Sequence, residues 1–111
     1  MISAWILALA LAPTLTAAPA DEFVVLADDW ARPRSGEAVV AQPAIREAVA
    51  AWGGDASTQI LIVYPGGERG SLWGREVHDW LVALGVAPDH IVLQPGGPRD
   101  DAVILRIGRR P

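Results

Sequence analysis

Ile60–Leu84, ILIVYPGGERGSLWGREVHDWLVAL, decides the reading of this chain. It opens as a continuous apolar, β-branched run of strand length, Gln59–Tyr64 once the preceding residue is included. Pro65-Gly66-Gly67-Glu68-Arg69-Gly70 then reads as a turn. From Ser71, a plausible N-cap, the apolar residues Trp73, Val77, Trp80, Leu81 and Leu84 recur at helical spacing. Arg75, Glu76, His78 and Asp79 occupy the other side, with Arg75 and Asp79 as an i,i+4 pair. Gly85 closes this helix and Pro88 prevents its resumption. A strand this uniformly apolar is expected to be covered on both faces.

The chain on either side repeats the grammar. Upstream, Phe23–Ala27 is a short apolar strand. Asp28-Asp29-Trp30 and Arg32-Pro33-Arg34-Ser35-Gly36 read as loop, and Glu37–Ala41 as irregular or weakly extended. Pro43–Trp52 is a helix, with Pro43 in the first turn and Ile45, Ala48, Val49 and Trp52 on one stripe, ended by Gly53-Gly54. Downstream, His90–Gln94 and Ala102–Ile107 are strands, and Gly108–Pro111 is expected to fray. The order β-α-β-α-β-β predicts an α/β or α+β sandwich, two helices packed on a mixed sheet.

Before all this lies MISAWILALALAPTLTAAPA, residues without a charged side chain. Trp5–Leu11 has the length of a signal-peptide core and is too short to span a bilayer. Ala18-Pro19-Ala20 places small residues where a signal peptidase reads, and Asp21-Glu22 begins the mature chain. The expected organisation is a signal peptide, 1–20, and a single domain, 21–111, delivered to the periplasm with no membrane span after cleavage. The alternative is a retained N-terminal helix.

Composition narrows function. With 111 residues and no cysteine, neither disulfides, thiolate metal sites nor a lipid-modified Cys is available. The net charge of −4 and the lack of a basic stripe argue against nucleic-acid binding. His78 with Glu76 or Asp79 lacks zinc-ligand spacing, and Ser35, Ser57 and Ser71 sit outside any nucleophile-elbow pattern. YPGGERGS lacks the Lys-Ser/Thr of a phosphate loop. No catalytic residue, metal or cofactor is therefore expected. Trp30, beside Arg32 and Arg34, is expected as a lid on the core or an exposed contact.

One internal echo bears on binding. Ile62–Arg69 and Val92–Arg99 share the pattern apolar, apolar, X, Pro, Gly, Gly, X, Arg at the length of one strand–helix–strand unit. If the two strands are parallel neighbours, both turns leave one sheet edge. Gly66, Gly67, Gly96 and Gly97 would then bring Arg69 and Arg99 together beside a helix N-terminus, an anion-binding arrangement with Tyr64 or Trp73 as a wall. Glu68 or Asp100 could neutralise either guanidinium. The other reading of PGG is ordinary turn punctuation.

From Trp30 to Gly97 the chain resembles the OmpA-like, peptidoglycan-binding domains of bacterial envelope proteins. QPAIREAVAAW, QILIVY, HDWLVALG and VAPDHI stand in the family's order, and the passage from Leu81 through Gly85-Val86 to Ile91 is the most similar piece. The family follows its strand with Gly-His-Thr-Asp and opens its helix with a stretch carrying an Arg. That Asp and Arg hold the diaminopimelate of the wall peptide. Here Tyr64-Pro65-Gly66-Gly67-Glu68 replaces the first motif, no residue matches the Asp, and the Arg position falls near Trp73, two residues from Arg75. The resemblance thus implies the fold and the compartment but no ligand residue. It leaves a small non-enzymatic envelope module with an envelope protein as partner, or a binder of a peptidoglycan fragment or other anion through the PGGxR turns.

Cleavage after Ala20 is directly measurable. Intact mass of protein from an envelope fraction should correspond to Asp21–Pro111; a mass retaining Met1–Ala20 contradicts export with cleavage.

Overall fold

Four strands form one mixed sheet in the computed structural model, which describes residues 22–31, 36–40 and 42–111. The expected signal peptide, the 32–35 part of the first loop and Ala41 lie outside the described residues. The elements are β1 (Glu22–Leu26), α1 (Ala27–Trp30), α2 (Gly36–Val40), α3 (Pro43–Trp52), β2 (Thr58–Tyr64), α4 (Gly67–Ala83), a 3₁₀ turn at Pro88–His90, β3 (Ile91–Pro95) and β4 (Ala102–Arg109). The α+β class and the β-α-β-α-β-β order of the main elements are as expected, with α1 and α2 in addition.

The sheet order is β1-β4-β2-β3. β2 and β3 are parallel, joined across α4, while β4 runs antiparallel to both β1 and β2 and separates them. Its apolar sequence suits a central position: Ala102, Val103, Ile104 and Leu105 are all buried.

Register sorts every strand residue to one face or the other. Phe23, Leu105, Ile62 and Leu93 form one row, and Ile107, Ile60 and Ile91 the next. These rows point at the helices, where Ile45, Ala48, Val77 and Leu81 complete the core with Val39 and Val86. α3 packs over β1 and β4, and α4 over β2 and β3. Val24, Ile104, Val63 and Gln94 form a row on the opposite face, next to Glu22, Arg106, Leu61 and Val92. No described helix covers that face, so β2 is not flanked by helices on both sides as its composition suggested. Ala102, Ile104 and Val63 on this face are nevertheless buried, and Gly97 of the β3–β4 loop lies close over the Val63 Cγ1.

The helices depart from the sequence reading in instructive ways. Glu37–Ala41 was expected to be irregular or extended, yet Gly36–Val40 is helical; the inward Val39 is fully buried, and that burial outweighs the β preference of a Val-Val pair. Asp28-Asp29-Trp30 is a helical turn rather than loop. Trp30 is only 4% exposed, and its Nε1 donates to Glu76 Oε1 at 2.9 Å, tying α1 to α4.

α4 begins at Gly67, four residues before Ser71, so Ser71 is not the cap; Gly66 is. Most of the expected turn is therefore helix. The cause is steric rather than conformational preference. A Cβ on Gly70 would lie 1.7 Å from the Pro65 carbonyl oxygen, and one on Gly74 would lie 2.8 Å from the Tyr64 ring. Only hydrogen at those two positions lets the helix lie this close to the end of β2.

The end of β4 is firmer than expected. Gly108 and Arg109 pair with Gln59 and Thr58, and the Arg110 N–H donates to the Ser57 carbonyl at 2.9 Å. Arg106 Nε also donates to Glu22 Oε2 at 2.7 Å, closing the far end of the uncovered face.

These contacts predict an asymmetric response to alanine within one turn. Gly70→Ala should cost more than about 3 kcal/mol despite a gain of about 1 kcal/mol in helix propensity, because backbone meets backbone. Gly66→Ala, with nothing within 4 Å of the added Cβ, should cost about 1 kcal/mol or less. Urea unfolding of the two variants checks the order.

Candidate functional site

The parallel pairing of β2 with β3 places Tyr64 opposite Pro95, so both PGG turns leave the same edge of the sheet, as the echo required. They are joined directly: the Gly97 N–H donates to the Tyr64 carbonyl at 2.9 Å. The strands are not, however, paired in the register of the echo. Ile62 lies opposite Leu93, whereas the echo equates it with Val92. A one-residue slip reverses the face on which a side chain stands. Gly66 and Gly97 accordingly have no special backbone angle, while Gly67 and Gly96 both take φ of +85°. Those two glycines are turn residues for a conformational reason, but they occupy different places in the PGG triplet.

The two arginines end in different settings. Arg69 lies in the first turn of α4, exposed and without an ion pair among the described residues. Arg99 is exposed but already engaged: its Nε and Nη2 donate to the two carboxylate oxygens of Asp101, each at 2.9 Å. This fork-to-fork geometry uses the face of the guanidinium that an external carboxylate would need. The hydrogen bonds from Arg99 hold the Asp101 carboxyl below its ordinary value of 3.8, and Asp101 in turn raises Arg99. Asp101, rather than Asp100 or Glu68, is the neutralising residue. Its main-chain carbonyl is also anchored, accepting from the Ala27 N–H at 2.8 Å.

The expected aromatic wall is absent from this edge in the form proposed. Tyr64 is held beneath α4 against Gly74. Trp73 packs against the core, with its indole N–H buried and unpaired. What the edge offers instead is a shallow open groove of about 500 Å³ on the outer side of α4, lined by Gly67, Glu68, Ser71, Leu72 and Arg75. Arg75 does not pair with Asp79, whose carboxylate approaches His78 Nδ1 at 3.1 Å.

His90 has both ring nitrogens occupied. A carbonyl only accepts, so Nδ1 donates to the Thr58 carbonyl oxygen at 2.9 Å; a guanidinium only donates, so Nε2 accepts from Arg110 at 3.2 Å. The ring also meets Trp52 edge-on, 5.7 Å between centroids. Among the described residues, no three His, Cys, Asp or Glu side chains are grouped to hold a metal ion.

Sequence reasoning missed two features, the groove and the uncovered sheet face. The groove is hidden in the sequence because PGGERG reads as a turn, which separates Glu68 from the helical stripe that holds Leu72. The face had a visible signal: Phe23–Leu26 is apolar at every position, which gives a single-sided strand an apolar outer row.

The Arg99–Asp101 pair predicts a titration. A carboxyl with a lowered folded value supports its contact above the ordinary Asp range and loses it as pH falls through that lowered value. Carbon-detected NMR should place the Asp101 midpoint below 3.8, moving up toward 3.8 in Arg99→Gln. An unchanged midpoint would mean the pair does not persist in solution.

Compared with known protein-family models and with curated proteins, the chain matches none.

Proposed function

We propose that this chain is an exported, non-enzymatic module of the cell envelope, built on an OmpA-like plan, that works by contacting another envelope protein. The observation that carries the reading is the sheet face that no described helix covers. Val24 and Leu26 are each 39% exposed there and Val92 37%, beside Leu61, in a molecule whose other sheet face is packed under helices. These exposed apolar residues stand on the two edge strands, β1 and β3, with the central Ile104 and Val63 buried between them, and they support a contact that reaches the face from its edges. The order β-α-β-α-β-β and the Trp30–Gly97 resemblance support the plan, and the uncharged leader supports export. No helix among the described residues is long and apolar enough to cross a membrane.

A second reading, a binder of a peptidoglycan fragment or other anionic ligand, is favoured by the shared edge of the two turns and by Arg69, which has no ion pair among the described residues. The engagement of Arg99 by Asp101 ranks it second, since a two-arginine clamp would first have to break that pair.

Photo-crosslinking residues placed at Val24 and at Val92 should give one shared adduct in envelope preparations, while the same group at the exposed Glu47 on α3 gives none. Equal adducts from all three positions, or none, would remove the sheet face as the contact. Retention on isolated peptidoglycan that is lost on Arg69→Ala would instead establish the second reading.

A further inference from the structure

The stripe of α4 opposite its core-facing glycines is self-complementary. Gly70, Gly74, Val77 and Leu81 are buried against the sheet, which leaves Glu68, Leu72 and Arg75, at i, i+4 and i+7, on the opposite side of the helix. Leu72 is 62% exposed, more than any other large apolar side chain among the described residues. It stands in the open groove of about 500 Å³ between an acid one turn before it and a base one turn after it. Glu68 and Arg75 are both exposed, and neither makes an ion pair among the described residues.

The geometry points to a second copy of this chain as the occupant of the groove. The two α4 helices lie antiparallel about a two-fold axis that passes between Ser71 and Leu72. That axis sets Glu68 opposite the Arg75 position of the other copy, twice by symmetry, with Leu72 over Ser71 on both sides. A two-fold contact demands that one patch complement itself, and an acid and a base equally spaced about an apolar centre do so. A shift of the axis toward the helix C-terminus that set Glu68 opposite Asp79 would place acid against acid, which disfavours that neighbouring register. Antiparallel helix dipoles add a small favourable term. Such a contact uses only about three turns of helix and falls short of the roughly 1,600 Å² of a standard interface, so the dimer dissociates on dilution. This surface is on the helical side of the molecule and is independent of the sheet-face contact.

Sedimentation equilibrium tests it with four proteins. Wild type should show a monomer–dimer equilibrium in the micromolar-to-millimolar range. Glu68→Arg and Arg75→Glu, each placing like charges opposite one another, should weaken the dimer by about tenfold or more. The Glu68→Arg/Arg75→Glu double variant should restore it, because exchanging the charges preserves the complementarity. Mixing the two single variants should give a heterodimer, since an all-basic stripe then meets an all-acidic one. Circular dichroism confirms that these exposed substitutions leave the fold intact. A wild type that stays monomeric to millimolar concentration overturns the proposal. So does a dimer indifferent to Glu68→Arg, or a double variant as weak as the single ones.

Discussion

Everything on the helical side of this molecule depends on how closely α4 approaches the end of β2. Two missing side chains, at Gly70 and Gly74, let the helix axis settle over Pro65 and Tyr64 where any Cβ would collide. The contact sets the rotation of the helix about its own axis. With the glycines against the sheet, Val77 and Leu81 follow into the core and Trp73 and Trp80 are left to flank it. The outward stripe is then fixed by subtraction. Glycine in a helix interior carries an intrinsic cost of about 1 kcal/mol, and here the packing that it permits outweighs that cost.

The second organising element is the insertion of β4. Two strand–helix units would ordinarily place β1 and β2 side by side; here they are kept apart by a strand antiparallel to both. Because α3 and α4 both lie on one side, among the described residues the opposite side of the sheet meets the β3–β4 loop near Val63 and the Glu22–Arg106 ion pair at its edge, and no described helix. Trp30, hydrogen-bonded to Glu76, closes the helical layer between the two halves. The apolar residues left on that face are thus a product of topology, since both helical crossovers, through α3 and α4, pack on the same side.

Much of this was legible in the residues. Strand–helix order followed from apolar periodicity, and the parallel neighbours β2 and β3 followed from the length of the connecting unit. The limits have physical causes. The helical start at Gly67 was illegible because glycine argues locally against helix, and only the position of Pro65 in space explains Gly70. The helix at Gly36–Val40 was hidden behind a Val-Val pair whose local preference is extended. The candidate anion site was half legible: the edge was right, but a shared motif says nothing of pairing register. The one-residue difference between the echo and the ladder separates its members, and Asp101, two residues beyond the motif, takes Arg99.

The position of β4 in the chain has a consequence for how the molecule comes together. The strand that connects the sheet follows the strands it connects, and Glu22 meets Arg106 across 84 residues of sequence. Any nascent chain that has not yet extended past Ala102 can pair β2 with β3 but holds β1 as an isolated segment. Loop closure over that distance comes late and is slow compared with local helix formation. A polypeptide emerging N-terminus first, from a ribosome or a translocation channel, therefore keeps β1 without its sheet partner until β4 arrives. Completion of the sheet acts as a timer read at the trailing end.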